Sequence, residues 1–225
     1  MTPSVSLYLF TLGLAGGMVL LVLTAARRLS PPWLRWSLIG LGLFMVSRYV
    51  TLALFTVPDA PARFWALRRC WFATSLGLPW AGVVAVDQLL RHPAMTPKKL
   101  LAWFSPFLAA YGAVILLGDG TAARDPLGGW TFHLASGWRM WLTATHGLFV
   151  CGFLAIALRL MIKIPSRHIR TALAGLALGY LALSADGLRL ARGGWSLRPY
   201  LYSELFMLLA LWYAFETATE LQSSR

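Results

Sequence analysis

Apolar residues are arranged along this chain in seven long runs, separated by shorter polar stretches. Each run approaches the roughly 20 apolar residues that a helix needs to cross the hydrocarbon core of a bilayer. Unpaired strand edges cannot be satisfied in lipid, so these Leu-, Ala- and Val-rich runs predict helices. The predicted spans are approximately 6–26, 34–57, 70–90, 100–118, 140–159, 171–190 and 200–217. The expected fold is therefore all-α: a single polytopic membrane domain over residues 1–225 with seven transmembrane helices.

Composition agrees with a bilayer environment. The chain is 58% hydrophobic and 12% charged, whereas about a quarter of a soluble domain is charged. The net charge of +12 comes from basic residues clustered between the apolar runs. Basic clusters of this kind flank membrane spans and face anionic headgroups. We therefore expect the lipid bilayer as a partner and no nucleic acid.

The distribution of Lys and Arg predicts the orientation. Eleven of these residues follow one set of helix ends, eight follow the other, and all three lysines lie on the richer side. Because cytoplasmic loops carry the excess of basic residues, the N-terminus is expected outside and the C-terminus in the cytoplasm. Arg27 and Arg28 follow the first apolar run instead of preceding it, which predicts a retained helix and not a cleaved signal. The expected location is the cell membrane as a multi-pass protein, in a bacterial inner membrane.

Two local patterns predict how the helices are joined and packed. The connection 119–138 is long and rich in Gly, Pro, Asp and Trp. It predicts a structured outer loop with a short interfacial helix. Glycines four residues apart, Gly13 with Gly17 and Gly175 with Gly179, predict close helix packing. Asp87 and Arg91 have the spacing of an ion pair on one helix face.

Ionisable residues inside the apolar runs are the candidate functional residues. At about 1.5 Å per residue, Arg48, His146, Asp186 and Glu204 all lie in the outer half of their predicted spans. Such side chains normally face the protein interior, find a partner or line a wet cavity. One interpretation is a pocket that binds a ligand or ion. The other is a buried network in which Arg48 pairs with Asp186 or Glu204, and Asp186 with Arg189; pairing of buried charges favours the network.

Motifs for enzymatic chemistry are absent from the sequence. It has no nucleotide-binding glycine motif, no GxSxG and no HExxH, so we expect no enzyme and no catalytic residue. Cys70 and Cys151 have no metal-ligand spacing, so no metal site is expected. No cofactor is expected either, although a neutral imidazole at His146 could ligate a haem or pigment.

The stretch WRMWLTATHGLFVCGFLAIALRLMIKIPSRHIRTALAGLALG combines an aromatic-rich helix, a basic inner loop and a Gly/Leu helix. Together with the helix pattern it resembles the seven-helix N-terminal sensor modules of bacterial receptors such as histidine kinases. The resemblance implies a sensor-like signalling module. Those receptors continue into an output domain where this sequence ends, so the expected output is a separate membrane or cytoplasmic protein. Two other functions stay open, a structural accessory subunit of a larger membrane complex and a small-molecule transporter.

Overall fold

The computed structural model describes residues 3–29, 31–91, 96–125, 129–191 and 201–223. Helices dominate these residues, and a 3-10 helix, Trp65–Phe72, joins the third helix to the fourth. The helices are α1 (Pro3–Ala26), α2 (Pro32–Leu54), α3 (Ala60–Phe64), α4 (Ala73–Leu90), α5 (Pro97–Leu117), α6 (Ser136–Lys163), α7 (Arg167–Ala191) and α8 (Leu201–Ser223). Two short strands, β1 (Gly120–Arg124) and β2 (Trp130–Leu134), lie between α5 and α6.

Six helical stretches in the described residues are long and apolar enough to cross a bilayer. They are Val5–Ala26, Pro32–Leu54, Ala60–Leu90, Lys98–Leu117, Ser136–Lys163 and Arg167–Leu188. Helix α8 is not among them, and it carries Glu204, Glu216 and Glu220 within 23 residues. The fold thus agrees with the expected helical membrane protein, while the seventh crossing stays a prediction.

Helix α8 occupies the centre of the bundle. It packs against α1, α4 and α7, while successive long helices pack in chain order from α1 to α8. Its Met207, Leu208, Leu211 and Phe215 are fully buried. By contrast, many large apolar side chains on the periphery of the bundle are exposed, and Trp103 is 75% exposed. Lipid is as apolar as these side chains, so exposing them on the bundle surface carries little cost.

The two glycine pairs behave differently. A Cβ atom added at Gly179 would lie 3.2 Å from Met207 Cα, and one added at Gly175 would lie 3.5 Å from Ala210 Cβ. The α7 pair therefore permits the close approach to α8 that the spacing predicts. Gly13 and Gly17 have nothing within 4 Å of an added Cβ. The prediction of close packing is wrong for α1 within this chain, because α1 turns its opposite face toward α2 and α8.

The connection between α5 and α6 forms an antiparallel hairpin and not the expected interfacial helix. Its register runs from Gly120 opposite Leu134 to Arg124 opposite Trp130. Alternation of aromatic and polar residues in β2 favours a strand with one buried face, and Phe132 on that face is only 5% exposed. The hairpin is fastened to the bundle where the Trp130 N–H donates to Phe55 O at 2.9 Å. We call this end of the bundle the hairpin end.

The predicted ion pair between Asp87 and Arg91 does not form. Helix α4 ends at Leu90, and Arg91 takes a left-handed conformation with φ 42°. Its guanidinium lies 3.5 Å from Gln88 Oε1, while Asp87 accepts a hydrogen bond from Gln88 Nε2 at 3.1 Å. The turn out of the helix removes the i,i+4 geometry on which the pair depended.

Replacing Gly179 by Leu should destabilise the protein by about 1–3 kcal/mol, because the new side chain would overpack the contact between α7 and α8. Thermal unfolding of the detergent-purified protein measures the effect. The matched control is Gly17→Leu, which adds the same side chain where nothing lies within 4 Å. Equal melting temperatures for the two variants would contradict the packing described here.

Candidate functional site: a buried ion pair at the hairpin end

Arg48 and Glu204 form an ion pair inside the bundle. Arg48 Nη2 lies 2.9 Å from Glu204 Oε1, and the two residues are only 5% and 2% exposed. Arg48 Nη1 also donates to the main-chain carbonyl of Trp71. The pair joins α2 to the first turn of α8, which lie 156 residues apart in sequence. It is one of the two pairings that the sequence left open for Arg48.

Both oxygens of the Glu204 carboxylate accept further hydrogen bonds. Thr74 Oγ1 donates to Oε1 at 2.8 Å, and Tyr49 Oη donates to Oε2 at 3.1 Å. Tyr49 and Thr74 are themselves buried. A buried ion pair is tolerated only when its remaining polar atoms are also satisfied, and these two hydroxyl groups meet that requirement for the carboxylate.

The ion pair is connected to the hairpin through Trp71. The Trp71 and Phe132 rings lie 6.4 Å apart between centroids, and Phe55 packs edge-on against Trp71 at 5.4 Å. The side chain of Trp71 thus contacts the hairpin while its carbonyl accepts from Arg48. Arg48 Nε, which is also buried, has no hydrogen-bond partner among the described residues.

Asp186 lies beside the ion pair but does not contact it directly. It is half-buried on α7 and accepts a hydrogen bond from Ser203 Oγ, the residue before Glu204 in α8. Arg189 is placed near the end of α7, and its side chain lies outside the described residues. The predicted pairing of Asp186 with Arg189 therefore stays a prediction.

His146 has a different partner. Its Nδ1 lies 3.3 Å from the hydroxyl of Tyr111, which joins α6 to α5. The structure thus brings Arg48 and Glu204 together, places Asp186 next to them through Ser203, and gives His146 a contact on α5.

Two pockets, of about 320 and about 90 Å³, are not lined by any of these candidate residues. Trp138 and Trp141 line the larger pocket, and Gln88 and Gln222 line the smaller one.

Sequence reasoning missed three of the groups that hold the ion pair. Tyr49 directly follows Arg48, so its position was an available signal. Thr74 is a small polar residue at the start of an apolar run, which is a weaker signal. The Trp71 carbonyl has no sequence signal, because any residue supplies a main-chain acceptor.

No group of three or more His, Cys, Asp or Glu residues that could hold a metal ion occurs in the part of the chain that the structure describes. Ligation of a haem or pigment by His146 would have to use Nε2, since Nδ1 faces Tyr111. That ligation stays a prediction, and the visible absorbance spectrum of the purified protein tests it.

Replacing Glu204 by Gln should destabilise the protein by about 3–5 kcal/mol, because the substitution leaves Arg48 as an uncompensated buried charge. The matched control is Glu216→Gln. Glu216 lies 3.9 Å from Arg28 in a pair whose side chains are 34% and 66% exposed, so its loss should cost less than about 1 kcal/mol. Thermal unfolding in one detergent compares the two, and equal losses would contradict a buried pair.

A double replacement should be milder than its parts predict. Combining Arg48→Met with Glu204→Met removes both charges, so neither remains buried alone. We expect the loss to fall short of the sum of the single losses by about 0.5–3 kcal/mol, the usual coupling between residues in contact. Additive losses in the same unfolding assay would show that the two side chains act independently.

Comparison of the chain with known protein families and with characterised proteins finds no match. The resemblance to bacterial sensor modules accordingly rests on the helix pattern and the sequence stretch that ends at the Gly/Leu helix.

Proposed function

We propose that this chain is a non-enzymatic, sensor-like signalling module of the cell membrane that acts through a partner protein. In this proposal the chain crosses the bilayer seven times, the hairpin end faces outside, and the C-terminus faces the cytoplasm of a bacterial cell. The observation that supports it is the connection from Phe132 in the hairpin to Glu204 at the start of α8.

The connection consists of three direct contacts. Phe132 packs against the Trp71 ring, the Trp71 carbonyl accepts from Arg48, and Arg48 pairs with Glu204. A displacement of the hairpin would act on α8 through these groups, since interiors are close-packed and transmit strain. Rearrangements of packed elements are the usual means by which a small shift at one site reaches another.

In this proposal, helix α8 carries such a shift across the membrane. Its 23 residues correspond to about 34 Å at 1.5 Å per residue, which exceeds the hydrocarbon thickness of a bilayer. It packs against α1, α4 and α7, and near its far end Glu216 lies 3.9 Å from Arg28. The partner protein would contact this end, because a shift in a bundle acts only on what the bundle touches.

A structural accessory subunit is the second candidate. The observation that favours it is the near-complete hydrogen bonding of the ion pair. Such a pair can hold helices together without transmitting any conformational change. The two functions differ in whether a change in the hairpin alters the far end of α8. A sensor module requires that it does, and a structural subunit does not.

Spin labels test this difference. We would replace Cys70 and Cys151 by Ser, and attach labels to cysteines introduced at Lys163 and Ser223, which are exposed at the ends of α6 and α8. Phe132→Ala should shift or broaden the distance distribution between the labels, because it removes the ring that contacts Trp71.

The matched control is Phe10→Ala, which removes a ring that is 70% exposed on α1 and should leave the distribution unchanged. Measurements well below the melting temperature of each variant separate a shift from unfolding. Identical distributions for the original protein and Phe132→Ala would reject transmission through α8 and leave the structural role.

A further inference from the structure

Basic residues at the hairpin end are of one kind. The described ones on α3, the 3-10 helix, the hairpin and the start of α6 are all arginines: Arg63, Arg68, Arg69, Arg124 and Arg139. Every lysine of the chain lies on the richer basic side, which the sequence predicts to be cytoplasmic. Arginine presents a planar fork of donors that matches carboxylate and phosphate groups, whereas lysine presents a point charge.

Two of these arginines are oriented by tryptophan rings. Arg68 Cζ lies 5.1 Å from the centroid of the Trp65 ring, and Arg124 Cζ lies 4.8 Å from that of Trp130. A ring attracts a guanidinium through the negative charge on its face and accepts no conventional hydrogen bond from it, so the N–H donors stay available. Arg68 uses one donor on Trp65 O at 3.3 Å. Within the described residues, neither arginine has a carboxylate within ion-pair distance.

Both arginine–tryptophan contacts lie beside Phe132, the residue at which the connection to α8 begins. The Trp65 ring packs edge-on against Phe132 at 5.6 Å. Trp130 lies two residues before Phe132 in β2, so the two side chains are on the same face of the hairpin. A ligand held by Arg68 or Arg124 would therefore act next to Phe132.

We propose that Arg68 and Arg124 bind a soluble oxyanion, a phosphate or carboxylate group, at the hairpin end. The charge on these elements suits an anion, since the described residues on them or directly next to them include five arginines and three carboxylates, those of Asp59, Asp119 and Asp125. The indole N–H of Trp130 donates to Pro58 O at 2.6 Å, which holds the hairpin over the ends of α2 and α3. That position over protein favours a soluble ligand over a lipid headgroup. Its role as a signal rests on the proposed function, but the binding does not.

Calorimetric titration of inorganic phosphate into the whole chain, held in phosphatidylcholine nanodiscs at fixed ionic strength, tests the site. Arg68→Lys and Arg124→Lys keep the charge but lose the fork, so each should weaken phosphate binding about tenfold or more. The matched control is Arg63→Lys, which should leave the affinity unchanged, because Arg63 is exposed and lies over no aromatic ring of the described residues. Melting temperatures confirm that each variant is folded.

Absence of phosphate binding to the original protein, or equal weakening in all three variants, would overturn the proposal. A second titration in nanodiscs that contain phosphatidylglycerol identifies the source of the oxyanion. Unchanged phosphate affinity supports a soluble ligand, and loss of affinity shows that headgroups fill the site and overturns it. Phosphate binding without an effect of Phe132→Ala on the spin labels would keep the site and reject the signalling function, while the reverse result would reject only the site.

Discussion

A charge buried in a medium of low dielectric constant requires a partner of opposite charge. In this bundle, Arg48 and Glu204 are each other's partners. Each residue alone would be costly to bury, and the cost falls only when both are present with their hydrogen bonds. The pair therefore fixes more than its own two side chains. It sets the position of α8 relative to α2 and α4, and it brings the Trp71 carbonyl and the Thr74 hydroxyl to the same place.

The same requirement explains why the helix that carries Glu204 lies in the centre of the bundle. Glu204 excludes α8 from a position that faces lipid at that depth, whereas α5 and α6 carry exposed side chains such as Trp103 and Ile162. In water the order would be reversed, with charged side chains outside and apolar side chains within. The arrangement is that of a protein whose surface solvent is hydrocarbon, in which polar groups gather where helices meet.

Much of the helical framework could be predicted from the sequence, because a run of apolar residues of spanning length has few alternatives in lipid. The depth of each ionisable residue in its predicted span limits the partners of Arg48 to two carboxylates, those of Asp186 and Glu204. The hairpin was missed because composition identifies a loop but not its backbone pairing, which depends on the alternation around Phe132. The glycine pairs show the same limit. Gly13 and Gly175 each begin a pair of glycines four residues apart, so the sequence predicts close packing for both. Only the positions of the neighbouring helices show that Gly175 is closely packed and Gly13 is not. The prediction of an ion pair between Asp87 and Arg91 is wrong because i,i+4 pairing requires that the helix continue through both residues.

The distance along the chain between Arg48 and Glu204 has a consequence for biogenesis. Synthesis begins at the N-terminus, so α2 leaves the ribosome while Glu204, 156 residues after Arg48, is still unmade. During that interval the guanidinium enters the membrane without its carboxylate, and water, lipid phosphates or the insertion machinery must accommodate it. The charge of Arg48 is neutralised only when α8 brings Glu204 to it.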